Sequence, residues 1–382
     1  MSKSKKKSII LSANTSWYLY NFRKSTILAF LDEGYGVVCL SPRDEYSIKL
    51  QSLGCDWQQL NIDNKGINPL SDLYLLARMF LKYRKIKPIA IFHFTVKNNI
   101  FGTFASFLAR IPAINNVTGL GTAFINNNII SFIVRMLYRL SQPLAHKVFC
   151  QNQDDFDLLK MRGLVPAKSL ALLPGSGVDL ARFHPDLRKP FQDHKRIFRF
   201  IYSGRMLADK GLYELMHAMS DINKLEIQCH LWVCGFADAK NKSAISKKTL
   251  DDWSKLPWVE WIGPTDEVEE IMAKVDCLIL PSYREGMPKC ILEANAMALP
   301  VVATDVPGCR NIVDHKVTGL LCAAKDQNAL GSTILEMVHM SASDRALMGG
   351  RARDIVVNNF DERIVIQAAM DAANEISTKL NL

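Results

Sequence analysis

Acidic residues are nearly missing from one long stretch of this chain. Between Asn64 and Gln153 the only one is Asp72, beside eleven lysines and arginines. Residues 1–180 carry 22 Lys and Arg against 11 Asp and Glu, so the excess behind the net charge of +9 sits in that half. A basic half calls for an anionic partner: nucleic acid, a membrane surface or a phosphorylated substrate, with a merely solubilising surface as the plain alternative. No helix-turn-helix, RNP or zinc-finger pattern accompanies the charge, which argues against nucleic acid. No apolar run reaches the ~18 residues of a membrane span. The start is basic, but its apolar core of Ile9 to Ala13 is broken by Ser12, too little for a secretory signal. Nine cysteines form no C-x-x-C pair and no metal-like spacing with histidine, as expected of buried reduced thiols in a cytoplasmic protein. Also missing are G-x-x-x-x-G-K-[ST], H-E-x-x-H and G-x-S-x-G, while Gly119-Leu120-Gly121 lacks the third glycine of a dinucleotide fingerprint. ATP-driven work, zinc hydrolysis and hydride transfer lose support with them.

What is present is alternation. Strands are expected at 8–13, 35–40, 88–94, 112–117, 147–150 and 169–173, with helices from about Trp17 to Leu31 and over 70–83, 98–109, 128–142 and 153–162. This pattern means a parallel sheet covered on both faces. The polar, proline-bearing stretch His184 to Lys195 interrupts it and is placed as a domain boundary. A second series follows: strands at 198–203, 227–234, 259–262, 275–280, 301–304 and 318–322, and helices over 210–219, 242–254, 266–273, 289–297, 326–340 and 361–379. The expected organisation is one Rossmann-like domain over 1–184, a second over 196–360, and a final helix, 361–382, packing back on the first.

Leu280 to Arg310 reads as strand, loop, helix, strand, with Glu285 on the loop and Glu293 inside the helix. Loops at the carboxyl ends of parallel strands are where such folds bind ligands, beside helix N-terminal amides. Solvated surface acids are the alternative for both glutamates; Gly286 and Pro288, which shape the loop between them, favour the cleft. Gly204-Arg205 follows the first strand of the second series, and Lys210-Gly211 opens the next helix. A guanidinium and an ammonium five residues apart suit a diphosphate, and Gly204 would admit a ligand to the backbone.

These motifs together resemble a known family. S-G-R-x4-K-G, P-S-x2-E-G-x-P-x4-L-E-A-x-A, P-V-V-A-T-D-V-P-G and T-G-L-L are similar to those of the retaining GT-B glycosyltransferases of family 4, two Rossmann-like domains facing across a cleft. The resemblance implies that Arg205 and Lys210 hold the diphosphate of a UDP-sugar and share in catalysis with Glu285. Glu293 would bond the ribose hydroxyls; Glu285, with the segment Gly286, Met287, Pro288 and Lys289 and its free amides, would hold the donor sugar. Asn14 to Arg23, Asn115 to Gly121 and Pro174 to Asp179 resemble a narrower group that extends lipid-diphosphate-linked sugars, the bacterial N-acetylgalactosaminyltransferases acting on undecaprenyl-diphosphate sugars.

The family pattern is not followed everywhere. Asn14 to Ser16 replace the glycine pair many members have in the first strand–helix loop, and Thr118-Gly119 stands where many have His-Gly. Asn14, Ser16, His93, Thr118 and Gly119 are further candidates for donor or acceptor contacts, although a lone histidine at a strand end is more often packed inside. Asp154-Asp155-x-Asp157 opens a helix, where acids favour the dipole and face water, so no metal is expected. The expected partners are a UDP-N-acetylhexosamine, a polyprenyl-diphosphate-linked acceptor and the anionic inner face of the cell membrane, with no nucleic acid. Lipopolysaccharide or soluble acceptors, and a sugar-nucleotide-binding protein without activity, are the alternatives.

Overall fold

The computed structural model describes residues 7–63, 68–120, 129–188, 197–237 and 243–379. The chain divides into two units: one runs to Ser176 and resumes at Glu362, and the other is Gly177–Asp361. In the first, strands β1 (Ser8–Ser12), β2 (Gly36–Ser41), β3 (Asp56–Gln59), β4 (Ala90–Phe94), β5 (Ala113–Val117), β6 (Lys147–Cys150) and β7 (Leu170–Leu172) form one sheet in the order β3-β2-β1-β4-β5-β6-β7. Every pairing is parallel. Helices α1 (Ser16–Asp32), α2 (Tyr46–Ser52), α3 (Pro69–Ile86), α4 (Thr103–Ala109), α5 (Ile129–Ser141) and α6 (Gln153–Met161) make the crossovers. Because both faces are covered, β4 and β5 are buried along their whole length. Local chemistry sets the helix ends. Thr15 accepts a 3.0 Å bond from the Tyr18 amide at the start of α1, and Asn68 with Pro69 opens α3. The alternation had not announced α2 or β3: β3 is an edge strand of four residues, Asp-Trp-Gln-Gln, with no apolar run to mark it.

The second unit has β8 (Phe198–Ser203), β9 (Cys229–Cys234), β10 (Val259–Gly263), β11 (Cys277–Leu280), β12 (Val301–Thr304) and β13 (Leu320–Cys322), again all parallel, in the order β10-β9-β8-β11-β12-β13. Its helices are α7 (Leu212–Lys224), α8 (Lys247–Trp253), α9 (Val268–Met272), α10 (Lys289–Ala296), α11 (Gln327–His339) and α12 (Ala342–Asn359). Helix α12 is not among the expected elements, since its middle carries Gly349-Gly350, a helix breaker on propensity alone. A side chain at Gly349 would collide with the Ala298 carbonyl at the end of α10, so the glycine permits a close helix approach instead. The unpaired carbonyls at that end of α10 are met by arginines: Arg188 donates to Ala298 O at 2.6 Å, and Arg353 donates to Ala296 O.

The break between units comes earlier than the polar stretch 184–195 suggests, and residues 189–196 of that stretch lie outside the described residues. Phe183 is already in the second core, Arg182 pairs with Glu269 at 2.6 Å, and the Val178 amide donates to Phe360 O at 2.9 Å. Within the stretch itself, Arg188 is bonded into the second unit through the Ala298 carbonyl. The last helix, α13 (Glu362–Lys379), belongs to the first: Val365, Ala369, Ala372 and Ile376 pack with Leu19, Ile27 and Phe30 of α1. Each sheet reverses its strand order once, between β1 and β4 in the first unit and between β8 and β11 in the second. At such a switch point two neighbouring strands send their loops apart and leave a crevice for a ligand.

Candidate active site

In the second unit the loops leaving β8 and β11 bring together most of the charged residues singled out from the sequence. Lys210 ends a single 3-10 turn after β8, and Gly211 follows at φ +72 before α7 begins. Glu285 lies on the loop between β11 and α10. Lys210 Nζ donates to Glu285 Oε1 at 2.5 Å, with the two side chains 17% and 13% exposed, so the pair is shielded yet reachable. The loops can approach this closely because Gly211 has no side chain: a Cβ there would run into the Pro281 carbonyl oxygen. On its other side the Glu285 loop rests on Gly308 (φ +86), where a Cβ would lie 2.8 Å from the carbonyl oxygens of Glu285 and Gly286. Two glycines far apart in sequence thus set the height of one loop.

Arg205 is exposed on the same β8–α7 loop. Its backbone is fixed from below, since the buried Tyr202 hydroxyl donates to Arg205 O at 2.8 Å. That bond revises the reason for Gly204. A Cβ there would lie 2.8 Å from the Tyr202 oxygen, so the missing side chain makes room for this bond rather than for a ligand.

Glu293 lies on α10, 8% exposed, with Lys289 one turn before it at 3.7 Å. Burial raises its pKa above the ordinary carboxylate value, while the Lys289 and Arg182 charges oppose the rise. Gly286 and Met287 are half-buried on the loop, Pro288 caps α10, and Lys289 is its first residue. The sequence reading missed Arg182, Tyr202, Tyr283 and Glu214. Tyr283 sits at an unspecified position of P-S-x2-E-G, Tyr202 and Glu214 flank S-G-R-x4-K-G just outside it, and Arg182 reaches the site from elsewhere in the chain, so no motif position marks them.

At the switch point of the first unit Lys97, on the connection after β4, is paired with Asp72 of α3 at 2.6 Å, and Ser16 and His93 are turned inward. Here the structure corrects two candidates. Ser16 is fully buried, its hydroxyl 2.8 Å from Ser41 Oγ, 2.9 Å from Ser47 Oγ and 3.0 Å from Pro42 O. It ties α1 to β2 and α2 and has no capacity left for a ligand. His93 is also fully buried, with Nε2 3.1 Å from the Tyr83 hydroxyl and Nδ1 3.0 Å from Asn115 Oδ1. Burial pushes its pKa down to about 4, and its ring fills the space a side chain at Gly102 would need. It is a packed, neutral structural histidine. Asn14, Thr118 and Gly119 remain half-buried on the loops after β1 and β5; Gly121 lies outside the described residues. Asp155 is buried and accepts from the Leu120 amide at 3.2 Å and the Asn152 amide group at 3.1 Å, whereas Asp154 is exposed. These acids do not converge, and no cluster of three metal-ligating side chains occurs among the described residues.

Known proteins share both halves. Residues 197–340 match the family model for glycosyl transferases group 1, and residues 8–152 match the glycosyl transferase 4-like model. The chain is 26% identical over 365 residues to the N,N'-diacetylbacillosaminyl-diphospho-undecaprenol alpha-1,3-N-acetylgalactosaminyltransferase of Campylobacter jejuni, covering 91% of this chain and 93% of that protein. It is 24% identical over 308 residues to the UDP-Gal:alpha-D-GlcNAc-diphosphoundecaprenol alpha-1,3-galactosyltransferase of Escherichia coli, covering 78% of each. Among solved structures, HepE of Anabaena in complex with UDP and glucose is similar with a TM-score of 0.77 at 17% identity, over 96% of this chain and 99% of that one. With one family model matched in each of its two parallel α/β units, the chain belongs to the family-4 type, group 1 glycosyltransferases of GT-B fold.

Proposed function

We propose that the protein is a retaining transferase moving an N-acetylhexosamine, N-acetylgalactosamine first among them, from its UDP derivative to a polyprenyl-diphosphate-linked saccharide, without a divalent metal. The observation that carries the reading is the shielded Lys210–Glu285 pair at the β8/β11 switch point, with Arg205 and Glu293 on the same two strand-to-helix connections. A diphosphate entering there competes for the Lys210 ammonium, and Glu285 is then free to accept a hydroxyl of the sugar. Arg205 stands on the loop that leads to Lys210 and adds a second fixed cation. Departure of UDP builds negative charge on the β-phosphate, and cations held in place beforehand stabilise it with little reorganisation. Glu293, buried on α10, is placed to accept the ribose hydroxyls. The retaining outcome and the identity of the sugar follow the resemblance of the E-x7-E segment and the Campylobacter relative's activity.

The same reading places the enzyme on the inner face of the cell membrane. None of the described helices is long and apolar enough to cross a bilayer. Yet α5 turns Ile129, Phe132, Ile133, Met136 and Leu140 outward beside exposed Arg139, and buries Tyr138 and Ser131 instead; the Ile130 side chain lies outside the described residues. A core helix would do the reverse. Leu70, Leu73, Tyr74 and Leu81 of α3 are also exposed, and the only acid on that helix, Asp72, is neutralised by Lys97 at 2.6 Å. Apolar side chains flanked by uncompensated bases are what an anionic interface takes up.

Incubation with a panel of UDP-sugars and extracted lipid-diphosphate acceptors, with the products weighed and their linkage read by NMR, tests the transfer. The expected product is an acceptor heavier by one N-acetylhexosamine in α linkage. Transfer only to lipopolysaccharide or free saccharides would overturn the acceptor assignment, and failure to release UDP with any acceptor would overturn the enzyme reading. Flotation should recover more protein with anionic than with neutral vesicles at low salt, and equal recovery would remove the electrostatic contribution.

A further inference from the structure

The loop that carries Glu285 is held by a residue pair outside the family motif's charged positions. Tyr283, two residues before Glu285, donates its hydroxyl to Glu214 Oε1 at 2.6 Å, and Glu214 sits in the first turn of α7. The Tyr283 amide donates to Asp209 O at 3.0 Å, next to Lys210. The Lys325 ammonium lies 4.9 Å from the centre of the Tyr283 ring. One side chain therefore bonds the β8–α7 connection, which presents Arg205 and Lys210, to the β11–α10 connection, which presents Glu285. Without this bond the Tyr283 amide's bond to Asp209 O, the Gly211–Pro281 approach and the Lys210–Glu285 pair still join the two loops, but the first two act on the backbone and the last is the contact a diphosphate must open.

We propose that Tyr283 and Glu214 are positioning residues that keep Lys210 and Glu285 in register once the donor has separated them. The inference rests on the UDP-sugar reading of the site. Burial first, and then the Glu214 hydrogen bond and charge, hold the Tyr283 proton well above its usual range, so the hydroxyl remains a donor throughout the working pH range. A hydroxyl-to-carboxylate bond is of the stronger, charge-assisted kind, suited to a strut that must outlast ligand entry.

The experiment is titration of UDP into wild-type protein, Lys210→Ala, Tyr283→Phe, Glu214→Ala and the Tyr283→Phe/Glu214→Ala double variant, with a thermal midpoint for each. Wild-type binding that is lost in Lys210→Ala establishes the underlying site. Tyr283→Phe should then weaken UDP by about tenfold, the loss of one hydrogen bond to a charged group. Glu214→Ala should do the same, and the double variant should be no worse than either, because both act through one bond. A lowered midpoint with unchanged UDP affinity would make the pair structural only and overturn the proposal, while leaving the Lys210 site intact. Unchanged UDP binding in Lys210→Ala would instead defeat the reading of the site itself.

Discussion

The two units share an architecture and use it differently at the one place where each could bind. Both are open parallel sheets with a single reversal of strand order. Beside the reversal in the first unit, Ser16, His93, Asn115, Thr103 and Gln142 are buried, uncharged and bonded into the interior. Beside the reversal in the second, Lys210 and Glu285 form a partly exposed ion pair between the loops of the two switch strands, whereas Lys97, on the connection after β4 in the first unit, is paired with Asp72 of α3. The fold offers a crevice in either unit, but chemistry needs groups that are not used up by the protein. A satisfied neutral network specifies a unique core; a shielded, solvent-reachable pair of opposite charges is poised to be opened. Donor chemistry is therefore proposed for the second unit.

Substitutions should separate the two regions by the quantity they disturb. The largest effect is expected for Lys210→Ala or Arg205→Ala: turnover should fall by about tenfold to a thousandfold, as with loss of one transition-state donor, while the melting temperature stays near that of the wild type. Steady-state kinetics beside a thermal scan checks both halves of that statement.

The acidic pair sharpens the contrast. Glu293→Gln should weaken UDP binding by roughly 1.5–3 kcal/mol, the worth of hydrogen bonds to a charged group, and Glu285→Gln should depress turnover more than UDP affinity. Because the folded state raises the Glu293 pKa, the stability it contributes is present at low pH and is lost as pH rises through that value. The neutral Glu293→Gln variant should therefore fold at least as stably as the wild type near neutral pH. Equal loss of UDP affinity in both variants would erase the division of roles.

In the first unit the effects should fall on stability alone. His93→Gln should cost about 1–3 kcal/mol, the penalty for disturbing a buried hydrogen-bonded group, with UDP affinity unchanged. Its pH signature has a definite sign. The folded chain refuses a proton at His93 until about pH 4, whereas the unfolded chain takes one near 6.5. Stability should fall as pH drops across that interval, and the variant should lose that part of the slope; denaturant midpoints at several pH values measure it. The smallest effect belongs to Asp154→Asn, an exposed helix-start acid whose removal should change neither turnover nor stability by more than about 0.5 kcal/mol.

Much of this was legible in the sequence, and the gaps have physical causes. Apolar strands such as Ile-Ile-Leu and Val-Val-Ala-Thr announce a sheet buried on both faces, and the residues that meet at β8 and β11 carry charge at motif spacing. The edge strand β3 is polar, and α12 hides behind two glycines, of which Gly349 serves the approach to Ala298 and so depends on a helix end about fifty residues away. Ser16 and His93 were candidates because polarity at a strand end looks the same whether the side chain turns outward or inward. Only the partners decide it: Ser41 and Ser47 for one, Tyr83 and Asn115 for the other. Tyr283 and Glu214 escaped for the opposite reason, since neither has a spacing that signals a bond between two loops.

Fixed cations of the second unit, rather than a metal, are proposed to carry the charge of the departing UDP. Transfer measured in excess EDTA tests it most directly. The expected rate is close to that without chelator. Abolition by EDTA with recovery on adding manganese would contradict it and move attention to Asp154, Asp155 and Asp157.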